Sequence, residues 1–214
     1  MESSQQHMVA FLRMVHARAG GTGAILNLIR ASEVRGGADI IALTDLVSDP
    51  QLKMDLAKHA MDEARHSYLL LRRMTQLGFA AYRLPPELDR LESLFERSRA
   101  RDVKQVYTDR GSIDDAELME IMMVAYIPEN DAAVKLQANY EALSDDPDSQ
   151  AVITSILRDE ERHIEYLGSW LKRFEQRISP RAVAAVRERL QEAFKQIDVV
   201  YYGALHEYFE RAAA

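Results

Sequence analysis

Two short acidic motifs, 97 residues apart, constrain this chain of 214 residues more than any other feature. They are Asp62-Glu63-Ala64-Arg65-His66 and Asp159-Glu160-Glu161-Arg162-His163, and in each a Glu precedes a His by three residues. On an α-helix this spacing places both side chains on one face, where a carboxylate and an imidazole together can bind a transition-metal ion. Another Glu lies 30 or 31 residues before each motif Glu, at Glu33 and Glu129. The sequence therefore predicts six ligands for two metal ions, carried by four helices that pack together.

The simplest alternative explanation of the motifs is a pair of solvated helix faces, each with a local Glu–His contact. Chance produces a single Glu-x-x-His sequence readily, so one copy alone would carry little weight. This alternative does not explain why the whole motif is repeated, or why a matching Glu precedes each copy.

Hydrophobic residues recur at helical spacing along most of the chain, which predicts an all-α fold. An Asp followed by Pro is a typical helix start, and the pair occurs at Asp49-Pro50 and again 97 residues later at Asp146-Pro147. We therefore predict two related helix pairs in a single domain, residues 1–214, with a core bundle over residues 22–177. The predicted helices cover residues 4–18, 22–47, 50–77, 113–143, 147–177 and 180–212, with a shorter helix after Pro85-Pro86.

The connection between the two predicted helix pairs is long, from residue 78 to residue 112. Because such a crossover can span the length of a bundle, we expect the second and third long helices to be parallel neighbours. The last predicted helix carries an apolar stripe from Val183 to Tyr208. This stripe either covers the bundle or forms the interface of a homodimer.

The composition argues against several classes of protein. Positive and negative side chains are interspersed and the net charge is −7, which argues against a nucleic-acid-binding surface. There is no Cys, so we expect no disulfide framework, no thiolate metal site and no built-in rubredoxin-like electron carrier. Apolar runs such as Ile121–Ile127 are too short to span a membrane, and residues 1–6 lack the apolar segment of a signal peptide. We expect a soluble cytoplasmic protein.

The duplicated Glu…Asp-Glu-x-x-His pattern, within residues 22–177, resembles that of the ferritin-like di-iron carboxylate superfamily. That superfamily takes one Glu from each of two helices and a Glu-x-x-His pair from each of the other two. The Asp before each pair is similar to di-iron oxygenases such as the arylamine N-oxygenases and the ribonucleotide reductase small subunits. The chain length is closer to the compact aldehyde-deformylating oxygenases and the rubrerythrin-like proteins. The resemblance implies a ferritin-like four-helix bundle with a long crossover and additional N- and C-terminal helices.

The resemblance also implies which residues bind which metal ion. Carboxylates combined with imidazoles suit iron or manganese, so we expect two iron ions, with manganese or a mixed manganese–iron pair as the alternative. Four carboxylates and two neutral imidazoles would roughly balance the charge of two divalent ions in a buried site. One ion would be bound by Glu33, Glu63 and His66 and the other by Glu129, Glu160 and His163, with Glu63 and Glu160 bridging the two ions.

Two aspartates are expected to orient the metal-binding imidazoles. Asp62 and Asp159 each precede a motif Glu by one residue, about 100° around the helix, so neither can easily bind the same ion as that Glu. A metal-bound His normally donates a hydrogen bond from its other ring nitrogen to a carboxylate or a carbonyl group. We expect Asp159 to accept this hydrogen bond from His66, and Asp62 to accept it from His163.

Two further polar residues near the predicted ligands each have two interpretations. Tyr126 lies one turn before Glu129. It is either a hydrogen-bond donor or redox-active phenol at the metals, or a packed core residue. His59 lies one turn before Glu63. It is either an extra polar group near the site or, as we favour, a satisfied core or boundary histidine.

Small residues follow both upstream glutamates. Gly36 and Gly37 come one turn after the first of these glutamates, and Ala132 and Ala133 occupy the same places after the second. Glycine inside a helix costs about 1 kcal/mol relative to Ala, so the pair needs an explanation. The small residues leave either a void beside the metals for oxygen or substrate, or room for close helix packing.

The resemblance implies an enzyme, a di-iron oxidase or oxygenase that activates O2 and oxidises a small organic substrate. Its electrons would come from an external donor, because the sequence shows no electron carrier of its own. The alternatives are a peroxide-scavenging or ferroxidase protein of rubrerythrin or bacterioferritin type, and a manganese catalase. A non-catalytic scaffold or tRNA-associated bundle is a third class. The acidic net charge and the complete ligand set weigh against that class.

Overall fold

Helices form the regular structure of residues 4–212, the part of the chain that this computed structural model describes, with side chains described for residues 5–205 and 207–209. No strand occurs within these residues, so the all-α prediction is confirmed. None of the helices described combines the length and the apolar character that crossing a membrane requires. The α-helices are α1 (Ser4–His16), α2 (Gly21–Leu46), α3 (Pro50–Gln76), α4 (Arg90–Glu96), α5 (Val103–Thr108), α6 (Asp115–Ala142), α7 (Pro147–Arg177) and α8 (Pro180–Ala212), and Pro86–Leu88 forms a 3₁₀ turn.

Asp49 and Asp146 begin the two motif-bearing helices, α3 and α7, as the sequence predicted. The carboxylate of Asp49 accepts hydrogen bonds from the backbone N–H groups of Gln51 and Leu52, at 2.8 and 3.1 Å. Asp146 accepts one from the N–H of Ser149 at 3.0 Å. In both helices Pro occupies the first turn. Backbone N–H groups in the first turn have no acceptor within the helix, so the N–H group that Pro lacks costs no hydrogen bond there. The two helices therefore start by the same local mechanism.

The helices α3 and α7 run antiparallel and pack against each other. The indole of Trp170 donates a hydrogen bond to Asp55 at 3.0 Å, and the guanidinium of Arg73 donates one to Ser149 at 2.9 Å, so residue numbers rise along α3 as they fall along α7. Because α2 pairs with α3 and α6 pairs with α7 as consecutive hairpins, α3 and α6 run in the same direction. They meet through side chains, with His59 of α3 3.2 Å from Glu129 of α6, and not through close backbone packing. Within the described part of the chain, α3 packs on α2 and α7 and makes no comparable contact with α6.

The crossover between α3 and α6 folds back onto these helices. It holds α4, which packs on α6 and α8, and α5, which packs on α2 and which the sequence did not predict. The last helix, α8, packs on α4, α6 and α7 and buries Val183, Leu190, Phe194 and Ile197 of its apolar stripe. This part of the stripe therefore covers the bundle.

A group of polar side chains is buried in the interior, beside the apolar core. Apolar side chains from all the long helices after α1 form the largest buried cluster. Carboxylates and imidazoles of α2, α3 and α7 are buried as well, among them Glu33, Glu63, His66, Glu160 and His163. Ionisable side chains are rarely buried in this way unless they are paired or bind a metal ion. This group is the candidate functional site.

Candidate metal centre

Carboxylate and imidazole groups from α2, α3, α6 and α7 meet inside the molecule. They form two overlapping sets, and within each set one ligand atom from every residue lies within 4.8 Å of the others. Glu129 is half-buried and the other members are buried. All six predicted ligands are brought together, and His59 joins them. The first set is Glu33, Glu63, His66 and Glu160, and the second is His59, Glu63, Glu129 and His163.

The composition of the two sets differs from the assignment that the resemblance implied chiefly by the addition of His59 to the second set. Glu160, expected to bridge the two ions, belongs to the first set, and its two oxygens lie 3.7 Å from His66 Nδ1 and 3.6 Å from His163 Nδ1. Glu63 belongs to both sets, as a bridging position requires. The difference arises because α3 and α7 face each other, so a side chain of one helix reaches the ligands of the other.

The two predicted imidazole ligands are oriented in the same way. In His66, Nδ1 lies 2.8 Å from Glu33 Oε2, and Nε2 lies 3.0 Å from Asp159 Oδ2. In His163, Nδ1 lies 3.6 Å from oxygens of both motif glutamates. Its Nε2 lies 3.5 Å from Asp62 Oδ2, and the hydrogen bond predicted between them is not formed. Each ring thus presents Nδ1 to the carboxylates and Nε2 to the aspartate of the opposite motif. This is the orientation that a metal-bound His needs.

Each of these aspartates also contacts cationic side chains at the surface. Asp62 pairs with Lys58 and Arg162, and Asp159 pairs with Arg65 and Arg162. Burial by itself raises the pKa of Asp62, but the contacts with Lys58 and Arg162 hold that pKa below its usual value. Asp62 is therefore ionised at neutral pH and can act as a hydrogen-bond acceptor for the imidazole beside it.

His59 is part of the cluster, contrary to its interpretation as a core or boundary histidine. Its Nδ1 lies 2.7 Å from the hydroxyl of Tyr166, and its Nε2 lies 3.2 Å from an oxygen of Glu63 and from one of Glu129. The ring also stacks on that of His163, with centroids 3.6 Å apart. Burial lowers the pKa of His59 to about 3, so the ring is neutral and can present a lone pair to a cation.

The tyrosine at the cluster is Tyr166, which the sequence analysis did not select. It follows His163 by three residues, the same spacing that separates the motif Glu from its His, so helical periodicity could have identified it. The ring of Tyr126, which was a candidate for this position, lies against Gly168 of α7. Within the described part of the structure, no hydrogen bond or ring contact joins the Tyr126 side chain to the cluster.

The clustered glutamates repel one another when they are ionised. Burial raises the pKa of Glu63 far above its usual value, and the charges of Glu33, Glu129 and Glu160 raise it further. Burial likewise raises the pKa of Glu160, and it raises that of Glu129 to about 7. Four carboxylates this close cannot all be ionised unless a positive charge compensates them. Protons can supply that charge, and so can metal ions.

The residues present fit a pair of metal ions. Buried atoms without a hydrogen-bond partner among the described residues include Glu160 Oε2, His163 Nδ1 and His59 Nε2. Leaving a buried polar atom unpaired costs about 1–3 kcal/mol, which a bound cation would offset. Oxygen and nitrogen ligands without thiolate suit iron or manganese.

An apolar cavity of about 120 Å³ adjoins the cluster between α2 and α6. Its wall combines carboxylates of both ligand sets with apolar side chains, so a molecule in it would contact the candidate metal centre directly. Besides the four glutamates, the wall includes Gly36, Ile40, Leu43, Ile121, Met122, Ala132, Tyr166 and Leu167.

Gly36 and Gly37 have different roles. A Cβ atom added at Gly36 would meet only Glu63 Oε2, at an ordinary contact distance of 3.7 Å, and Gly36 lines the cavity. A Cβ atom added at Gly37 would lie 2.9 Å from Glu63 Cβ, which is too close for two carbon atoms. Gly36 therefore leaves space beside the carboxylates, whereas Gly37 allows α2 to pack closely on α3.

Comparison with protein-family models, with curated proteins and with solved structures finds no match to this chain. The resemblance to ferritin-like di-iron proteins therefore depends on the motifs and on the cluster they form. What stands independently of that resemblance is an all-helical chain whose interior brings together Glu and His groups able to hold metal ions.

Proposed function

We propose that this protein is a di-metal oxidoreductase, an oxidase or oxygenase that uses O2 to oxidise a small organic substrate. The observation that carries the proposal is the pair of overlapping, buried ligand sets that share Glu63. The same arrangement supports a relationship to the ferritin-like di-iron proteins, whose duplicated ligand pattern the chain repeats. The metal pair would be iron, with manganese or a mixed pair as the alternative.

A bound pair of redox-active ions would supply the one-electron chemistry with O2 that protein side chains lack. Asp159 is hydrogen-bonded to His66 and orients its ring, Asp62 lies 3.5 Å from the ring of His163, and the glutamates would balance the charge of the ions. Burial raises the pKa of Tyr166, so its hydroxyl stays protonated beside the cavity and can donate a hydrogen bond. Because the chain has no Cys, we expect the electrons to come from an external donor.

The apolar cavity favours an organic substrate. Its wall is mostly aliphatic and aromatic, which disfavours water and helps to protect a reactive site from side reactions. A metal ion on its way to a storage or oxidation site would instead need a polar path, and outside the cluster the only carboxylate among the described residues of this wall is Asp39.

A ferroxidase or peroxidase of rubrerythrin or bacterioferritin type is the second candidate, because a polar depression reaches the cluster from its imidazole side. This depression, of about 540 Å³, is lined by His59 and His163 and by the acidic residues Asp55, Asp62 and Glu165. Iron ions or peroxide can approach through such a surface. Basic residues such as Arg173 also line it, which makes it a poorer path for cations alone.

The test is to load the protein with Fe(II) without oxygen, count bound iron per chain, and then add O2 while recording the optical spectrum. We expect two ions per chain. Replacement Glu160→Ala should remove at least one of them, because Glu160 is a buried member of the first set. Glu161→Ala is the matched control, since Glu161 is exposed on the same helix.

The proposal is wrong if the native protein binds no metal, or if Glu160→Ala retains two ions. Oxidation of many Fe(II) ions per chain, with ferric iron accumulating, would select the ferroxidase alternative. Consumption of O2 by protein that holds two ions per chain, at a rate that depends on an added electron donor, would select the oxidase or oxygenase.

A further inference from the structure

A second apolar cavity lies next to the one at the cluster. It has a volume of about 140 Å³ and lies between α1, α2, α6 and α8, with Phe11, Leu28, Ile29, Leu205 and Phe209 among its apolar wall residues. Sites for small organic ligands usually have volumes of roughly 300 Å³ or more, so neither cavity alone reaches that size. The summed volume of the two cavities approaches that size.

The two cavities share part of their walls. Ser32, Glu33, Arg90 and Ala132 line both of them, so only these side chains separate the two spaces. Ser32 also lines a large surface groove between α2 and the segment of residues 81–89. Ser32, which is exposed, therefore borders the surface groove and both cavities. Glu33, a member of the first ligand set, lies at the same junction.

The charges at the junction are already paired. The guanidinium of Arg90 contacts Asp131 at 2.6 Å and Asp198 at 2.9 Å, and the ammonium of Lys135 contacts Asp131 at 2.7 Å. Two cations thus face two carboxylates, and no unpaired charge in this group is available to bind a charged head group. The junction suits a neutral molecule.

We propose that the two cavities form one elongated substrate chamber, entered at Ser32, and that the substrate is a neutral, elongated, apolar molecule. One end of it lies at the carboxylates of the cluster and the other between α1 and α8. The inference rests on the proposed function only for the chemistry at the end of the substrate that lies at the carboxylates. Binding of the apolar body depends on the two cavities alone.

The experiment measures calorimetric affinities of the full chain for straight-chain primary alcohols from butan-1-ol to decan-1-ol. Burial of each added methylene group should tighten binding about fourfold as long as the chain still enters a cavity. We expect the gain to continue to octan-1-ol and decan-1-ol in the native protein. The substitution Ala132→Trp fills the junction between the two cavities. Short alcohols should still bind to this variant, while the gain in affinity for octan-1-ol and decan-1-ol should be reduced at least tenfold.

Val134→Trp is the matched control, because Val134 lies on the same helix and is 54% exposed. It should follow the native series. If Ala132→Trp loses helical circular dichroism, Leu205→Trp fills the second cavity from its far side and should give the same loss. The inference is overturned if the native protein shows no gain beyond butan-1-ol, or if a folded Ala132→Trp or Leu205→Trp variant retains the full gain.

Each protein is measured with and without Fe(II) under argon, with bound iron counted in parallel. A chain-length gain in a protein that binds no metal would refute the proposed function and leave the chamber standing. Two bound ions without a chain-length gain would refute the chamber alone.

Discussion

Each predicted imidazole ligand is held between the carboxylate cluster and one aspartate. The hydrogen bond between His66 and Asp159 is 3.0 Å long, and Asp159 in turn contacts Arg65 and Arg162 at the surface. The aspartate therefore connects a surface cation to a buried ring and fixes which ring nitrogen faces the cluster. Such partners usually change metal affinity by about 10–100-fold when they are replaced.

Replacing Asp159 by Asn should weaken binding of the ion at the first ligand set by about 10–100-fold, because the negative charge beside His66 is lost while the shape is kept. Competition with a chromophoric chelator measures the affinity. Glu161→Gln removes the same charge from an exposed position on α7 and should leave the affinity unchanged. Equal affinities for Asp159→Asn and native protein would contradict the orienting role.

At the scale of elements, the contact between α2 and α3 depends on the two adjacent glycines of α2. Gly37 lies where a Cβ atom would be 2.9 Å from Glu63 Cβ, and Gly36 lies one residue away with space in front of it. The helices can therefore approach closely at the point where α3 carries its motif Glu. The same helical turn also leaves part of the cavity beside the cluster open.

Gly37→Ala should destabilise the protein by about 1–3 kcal/mol, since the added methyl group forces α2 and α3 apart. Gly36→Ala should instead be neutral or stabilising by up to about 1 kcal/mol, because Ala favours the helix and meets only one ordinary contact. Urea unfolding in the presence of a chelator measures both values. The account of α2 packing is wrong if the two substitutions have the same effect.

At the scale of the whole molecule, the buried carboxylates oppose folding whenever they are ionised without a metal. The pKa of Glu129 is raised from 4.5 to about 7, mainly by burial. Between these two pH values the folded chain binds more protons than the unfolded chain does. The stability that this group contributes is therefore present below pH 4.5 and is lost as the pH rises through 7.

The metal-free Glu129→Gln variant should match the native protein in Tm at pH 4.5 and exceed it at pH 7.5, because Gln resembles the protonated acid. Glu117→Gln is a control of opposite sign, since the hydrogen bond from Arg101 holds the pKa of Glu117 below its usual value. The Tm of the Glu117→Gln variant should not exceed that of the native protein at pH 7.5. Thermal unfolding in the presence of a chelator measures both Tm values. A Glu129→Gln variant that is no more stable than the native protein at pH 7.5 would contradict the charge argument.

The sequence alone determined the long helices and the composition of most of the cluster. Capping by Asp49 and Asp146 and the helical period are local properties, so the start of each motif-bearing helix and the shared face of Glu63 and His66 could be predicted. The structure brings together all six of the residues selected as ligands. Repetition made this prediction feasible, because two copies of one motif must face each other to share a site.

Only the tertiary structure decided how the helices meet. The close packing of α3 on α7 brings His59 and Tyr166 into the cluster. It also decides that Tyr126 lies against Gly168 and that two cavities share Ala132 in their walls. The physical reason is that a helical period fixes directions within one helix, whereas the approach of two helices depends on side chains far apart in the sequence.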